Sequence, residues 1–203
     1  MTISILAVCT GNICRSPLAE QLMRSGLAGV ADVAVSSAGT MALVGHGMTP
    51  QAQVLAAEYG VVDSAAHRAR QLTAEQITEA HLVLALSREH RRAIVELVPS
   101  AVRKTFTLRE FARLVPFVHG DDLVHGATKA DSTIASAIAA AASMRGILAP
   151  LGSPADYDVV DPYRRSDDVY RTTADQIVPA VDSVVTFVER AASHDWLVVP
   201  TGD

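Results

Sequence analysis

Cysteine is scarce in this chain: Cys9 and Cys14 are the two present among 203 residues. Two neighbouring thiols cannot staple a secreted scaffold, so a disulfide framework is excluded and reduced thiols in a reducing compartment are expected. Aromatic residues make up 4% of the chain and charged residues 19%. With 49% hydrophobic content, the core must come mainly from Ala, Val, Leu and Ile, and disorder, collagen and coiled coil are ruled out. Positive charge is also in deficit, with 17 Lys+Arg against 22 Asp+Glu and a formal net charge of −5. Such a chain has no global pull toward nucleic acid or an anionic membrane. Any anion site must therefore be local, built from backbone amides and one or two arginines. Long apolar runs are lacking too. Ile3 to Val8 is too short for an export signal and has no basic flank, and Ile134 to Leu148 carries Ser136, Ser143 and Arg145. That stretch falls short of the ~20 apolar residues of a membrane span. A cytoplasmic location without membrane insertion is expected.

What is present alternates between strand and helix signals. Ile3 to Val8 suits a buried parallel strand, and Val33 to Ser37 and Leu82 to Leu86 read as two more. Ser16-Pro17 reads as the cap and first residue of a helix with apolar Leu18, Leu22 and Leu27. Thr49-Pro50 opens a second helix that Gly60 closes, and Thr73 with Gln76 forms a capping box. Ser87 opens a helix toward Val98. This βαβα succession predicts an α/β fold, a parallel sheet covered by helices on both faces. Beyond Lys104, helices are expected over 107–114, 128–148 and 169–192, with loops at 119–126 and 150–154. The reading is one domain over 1–203, with an insertion around 120–154 and a loosely held tail at 194–203 onto which Trp196 could dock.

The chemistry is concentrated in Val8-Cys9-Thr10-Gly11-Asn12-Ile13-Cys14-Arg15-Ser16-Pro17, between the first strand and the first helix. Open α/β sheets place ligands there. A loop from the Cys9 thiol to the Arg15 guanidinium can wrap a phosphate-sized oxyanion, with inward N–H groups and the positive end of the next helix adding to the cradle. Gly11 and Asn12 tolerate positive φ, which a curled loop requires. Arg15 can grip two oxygens in a bidentate fork. A thiol beside a helix N-terminus and an arginine is expected as the thiolate, and Ser16 can donate a hydrogen bond to it. That places Cys9 for in-line attack on phosphorus, and expulsion of the alcohol calls for a general acid. Asp161, in Val159-Val160-Asp161-Pro162-Tyr163, is the candidate, with Tyr163 offering a ring to stack on an aromatic substrate. Asp161 also fits a plain turn ahead of Pro162.

The segment from Cys9 to Pro17 with Ala19-Glu20 resembles the signature of the low-molecular-weight protein tyrosine phosphatases. So do Ser37-Ala38-Gly39-Thr40, His67-Arg68-Ala69-Arg70-Gln71-Leu72 and Asp161-Pro162-Tyr163. The resemblance implies a flavodoxin-like three-layer sandwich with a central four-stranded parallel sheet. It implies a Cys9 phosphoenzyme, Arg15 as the phosphate clamp, and Asp161 as acid and then base. It also implies support of Asn12 by Ser37 and His67, and a Cys14 able to form a protective disulfide with the nucleophile after oxidation. The expected phosphate loop is Thr10, Gly11, Asn12, Ile13, Cys14 and Ser16, with Leu43 and Tyr163 in the pocket. Two departures stand out: Met41-Ala42-Leu43-Val44 lacks the aromatic wall common in the family, and Arg164 follows Tyr163.

Plainer readings stand beside these. Cys14 fits a small core hydrophobe as well as a redox partner, and His67 fits a core histidine. The Arg88, Arg91 and Arg92 cluster reads as a solvated helix face, Asp167-Asp168 as favourable charge at the start of the last helix, and His90 shows no role. No metal and no cofactor are expected, because the two cysteines lack a second pair or a His-x₃-His. The predicted function is a phosphomonoester hydrolase acting on phosphotyrosine-containing proteins or other phosphomonoesters, metal-independent. The alternatives are an arsenate reductase using an external thiol and a phosphate-binding or redox-sensing module without turnover.

Overall fold

The computed structural model of the chain describes residues 2–123, 133–149 and 151–193. Four strands, Ile3–Cys9 (β1), Val33–Gly39 (β2), Leu82–Ala85 (β3) and Thr105–Thr107 (β4), pair in parallel in the order β2-β1-β3-β4. Among the described residues, seven α-helices accompany them: Arg15–Gly26 (α1), Pro50–Glu58 (α2), Ala74–Glu79 (α3), Arg88–Leu97 (α4), Leu108–Leu114 (α5), Thr133–Ser143 (α6) and Asp167–Ser193 (α7). The period-2 alternation of strands sorts their side chains between two cores. Ile3, Ile5, Ala7, Cys9, Leu82, Leu84, Leu86 and Phe106 face the layer of α1, α2, α5, α6 and α7. Leu6, Val8, Val83 and Ala85 face the opposite layer, with Ile77 of α3 and Ile94 of α4. Both faces being covered explains why these strands are apolar runs rather than alternating ones.

The crossovers set the position of the site. From β1 the chain steps outward to β2 through α1 on one face, whereas β3 steps the other way to β4 through α4 on the opposite face, as right-handed connections require. The carboxyl ends of β1 and β3 therefore flank a crevice at the switch point, where open α/β folds place ligands. This is the flavodoxin-like four-stranded arrangement.

Several boundaries follow their sequence signals. Thr49 accepts the Ala52 amide and precedes Pro50, while Gly60 leaves α2 with φ 80°. Thr73 and Gln76 form the capping box of α3, and Ser87 caps α4 by accepting the His90 amide. Others differ. α1 begins at Arg15 with Cys14 in the capping position, so Ser16 lies inside the first turn and caps nothing. β4 is three residues of Thr-Phe-Thr, too short for a periodic pattern to announce it. The helix expected over 128–148 is described from Thr133 to Ser143 and tightens into a 3₁₀ turn at Met144–Gly146. The expected loop at 119–126 holds a 3₁₀ turn, Gly120–Leu123, and the other loop runs into a second one at Pro154–Tyr157. Positions 124–132, Pro150 and the tail 194–203 with Trp196 lie outside the described residues.

Arg145 anchors the segment after α6 to the β4 edge. Its guanidinium donates to the Val102 and Thr105 carbonyls and to the Glu110 carboxylate, and lies 3.7 Å over the Phe106 ring. Among the described residues no helix is long and apolar enough to cross a membrane, and no group of His, Cys, Asp and Glu is placed to hold a metal ion.

Candidate active site

Cys9 ends β1 on the side facing α1, buried to 2% exposure. The chain then curls through Thr10 to Cys14 before α1 begins, and the carbonyls of that curl are all held from outside. Cys9 O accepts from the Thr40 amide at 2.9 Å, Thr10 O from Met41 at 3.0 Å, Gly11 O from Leu43 at 3.0 Å and Ile13 O from Thr49 at 2.9 Å. The Asn12 carbonyl accepts from His67 Nε2 at 2.8 Å. A trans peptide points each C=O and the following N–H in opposite directions. Carbonyls turned outward therefore turn the amides inward, and that of Asn12 donates to Cys9 Sγ at 3.3 Å. The curl is thus a nest of N–H groups at the N-terminus of α1, an anion cradle with sulfur at its base.

Asn12 is the pivot. It is fully buried with φ 55°, the left-handed conformation expected of it. Gly11 does not take positive φ, and a Cβ there would meet only the Ile13 side chain at ordinary contact distance, so the expectation for Gly11 is corrected. The Asn12 amide nitrogen donates to Ser16 Oγ at 2.9 Å and Ser37 Oγ at 2.7 Å, while its oxygen accepts from the Arg70 amide. Ser16 Oγ, having accepted from Asn12, lies 3.0 Å from Cys9 Sγ and 3.4 Å from the Ala38 carbonyl, to which it can donate. Ser37 in turn donates to Glu20 Oε2 at 2.6 Å. Burial pushes the His67 pKa below its ordinary value despite Glu20 3.8 Å from Nδ1, so a neutral ring donates through Nε2 to Asn12. Gly39 makes room for all this: a Cβ there would sit 2.4 Å from Thr10 O.

Across the cradle, Arg15 is buried at the first position of α1. Its guanidinium pairs with Asp161 Oδ2 at 2.8 Å and donates to the Val159 carbonyl at 3.2 Å. Asp161 remains about half exposed, and its other oxygen accepts from the Tyr163 amide. Cys9, Thr10, Gly11, Ile13, Cys14, Arg15 and Asp161 line one cavity of about 200 Å³, walled by Met41, Leu43 and Tyr163. Cys14 Sγ lies 3.5 Å from Thr49 Oγ1 and 3.6 Å from Tyr170 Oη. Burial raises its pKa, and the Tyr170 phenol is likewise pushed up, to about 12, chiefly by burial. Both cysteines are free thiols.

The family model of the low molecular weight phosphotyrosine protein phosphatases matches residues 4–121. The chain belongs to that family. A probable low molecular weight protein-tyrosine-phosphatase, EpsP of Ralstonia solanacearum, is 42% identical over 107 residues, covering 53% of this chain and 71% of that one. A protein-arginine-phosphatase of Geobacillus stearothermophilus is 43% identical over 111 residues, covering 55% and 72%. The solved structure of the YwlE arginine phosphatase from Geobacillus stearothermophilus superposes with a TM-score of 0.67 at 30% identity, covering 95% and 96%. These relatives carry phosphatase names, and the arsenate reductase alternative finds no support among them.

Around the cradle of this low molecular weight phosphatase lie further residues that the sequence did not single out. Glu20, noted only within the signature, is 3% exposed, with the Arg70 and Arg24 guanidinium groups 3.5 and 3.7 Å away. His90, without a role in the sequence reading, places Nε2 2.8 Å from Thr10 Oγ1 and Nδ1 2.8 Å from Ser87 Oγ. Burial, with the Arg15 charge nearby, pushes its pKa down to about 4, so the ring is neutral. The arginine cluster is not a purely solvated face. Arg88 grips Asp158 and Arg91 donates to the Thr105 carbonyl, while Arg92 pairs with Glu96 one turn along α4. Arg92–Glu96 is a local i,i+4 pair, but Thr10–His90 and Arg88–Asp158 carry no local signal, since their partners lie 80 and 70 positions apart.

Proposed function

We propose that this phosphatase hydrolyses phosphotyrosine in proteins through a cysteinyl-phosphate intermediate. Arg15 and the loop amides hold the equatorial oxygens of the phosphoryl group, and Cys9 Sγ attacks phosphorus from below. As the S–P bond forms, the P–O bond to the phenol breaks and the Asp161 carboxyl gives its proton to the leaving oxygen. Water then attacks the phosphocysteine, the Asp161 carboxylate takes its proton, and sulfur departs as an anion steadied by Ser16 and the Asn12 amide. The observation that carries this reading is the sulfur at the base of an amide nest with Arg15 and Asp161 paired across its mouth.

The cavity walls favour an aromatic ester. Ile13, Met41, Leu43 and Tyr163 present apolar surface to the group beyond the phosphorus. A flat ring is desolvated there at little cost, whereas a phosphoguanidinium would lose water with one carboxylate to receive it. Two free thiols at the reactive loop fit a cytoplasmic setting. The test is hydrolysis of phosphotyrosine and phosphoarginine peptides by wild type and Cys9→Ser. Turnover of the tyrosine ester that disappears in Cys9→Ser is expected. Undiminished turnover in the mutant refutes the mechanism, and preference for phosphoarginine refutes the substrate assignment.

A further inference from the structure

Between the 3₁₀ turn Pro154–Tyr157 and Pro162, the chain runs past the end of β3 with its polar groups tied to distant elements. The Val159 amide donates to Leu86 O at 2.9 Å and its carbonyl accepts from Arg15. The Val160 amide donates to Gln176 Oε1 at 2.9 Å, and its carbonyl accepts from Thr173 Oγ1 at 3.1 Å. The most heavily bonded residue is Asp158. One carboxylate oxygen accepts the backbone amide of Arg88 at 2.7 Å, and both accept from the Arg88 guanidinium at 2.9–3.2 Å. Its carbonyl accepts from Arg109 at 2.9 Å. Asp158 is thus docked on the first turn of α4, the same turn whose His90 bonds Thr10 of the cradle.

We propose that the Asp158–Arg88 pair is a positioning clamp for Asp161, fixing the acid-bearing loop to the helix that also braces the phosphate cradle. This rests on the reading of Asp161 as the proton donor. The physical reason is distance. Asp158 lies three residues before Asp161 on a loop ending in an exposed carboxyl, and proton transfer in the transition state tolerates little displacement. A bidentate guanidinium–carboxylate fork with an added backbone amide fixes orientation as well as separation. Asp158 touches no reacting atom; it acts through where it holds Asp161.

A general acid matters in proportion to how poor the leaving group is, which gives the clamp its own signature. For phenyl phosphate the departing oxygen needs a proton, whereas 2,4-dinitrophenolate leaves without one. The measurement is kcat/KM, which covers phosphoenzyme formation, for both esters in wild type, Asp158→Ala, Arg88→Met, Arg88→Lys and Asp161→Asn. Folding is followed by circular dichroism, and the cradle by competitive inhibition with inorganic phosphate. Asp161→Asn should lower the phenyl to dinitrophenyl ratio by roughly 100-fold. Asp158→Ala and Arg88→Met should each lower it by roughly tenfold with phosphate inhibition unchanged, and Arg88→Lys, which keeps the charge without the fork, should restore only part of the ratio. Arg88 is half exposed, so its variants serve even if Asp158→Ala folds poorly. Unchanged ratios in the clamp variants, or equal losses on both esters, overturn the clamp while a lowered ratio in Asp161→Asn leaves the acid reading intact. An unchanged ratio in Asp161→Asn overturns both.

Discussion

His90 makes the stability of this protein depend on acidity in a predictable window. Its ring lies in the first turn of α4 between Ser87 and Thr10, and its pKa is driven down first by burial and then by the Arg15 charge. Asp161 and Asp158 pull the other way without prevailing. The unfolded chain binds a proton at the ordinary value near 6.5, the native chain only at about 4. Unfolding therefore takes up a proton between those values. The stabilisation is complete above roughly pH 6.5 and is lost as pH falls toward 4. At pH 4.5 the linkage integral for a shift from 6.5 to about 4 comes to roughly 2–3 kcal/mol. The assay is urea unfolding followed by circular dichroism at pH 7.5 and 4.5, on wild type and His90→Asn. The difference between the two proteins reads His90 together with the Asp158 and Asp161 carboxylates coupled to it: the variant should be less stable at pH 7.5 and should lose about 2–3 kcal/mol less on acidification. Equal losses in the two proteins would refute the reasoning.

Gly39→Ala would push a methyl into Thr10 O and against Ala42, where backbone has no room to yield. A loss of about 1–3 kcal/mol in urea unfolding is expected, together with more than about tenfold in kcat/KM on an aryl phosphate as the cradle opens. Arg145→Met keeps apolar contact with Phe106 but strips Glu110, Thr105 and Val102 of a shared donor. Thermal unfolding should fall by several degrees, corresponding to about 2 kcal/mol, with aryl phosphate turnover retained.

What could be read from the sequence was what local chemistry encodes. Thr49-Pro50 with Gly60, the Thr73–Gln76 box and Ser87 each announce a helix end through a bond made within a few residues. The stretch from Cys9 to Arg15 likewise declares itself, because thiol, left-handed Asn12 and guanidinium fall on one short loop. Legibility failed where a side chain had two claims on it. Ser16 has the chemistry of a cap, yet its hydroxyl is drawn between Asn12 and sulfur, so the helix starts without it. It failed also where the partner is distant, as for His90 with Thr10 or Asp158 with Arg88, pairings that only the completed sheet brings about. β4 escaped notice because three residues carry no period.

The outward carbonyls of the cradle have a consequence for how the molecule comes to life during folding. Each is secured by a segment arriving later along the chain, from Thr40 through Thr49 to His67. A nascent or truncated polypeptide that has made only its first strand and helix has nothing to pull those peptide planes into line. Reactivity toward phosphorus is therefore withheld until the chain through His67 has folded back onto the loop.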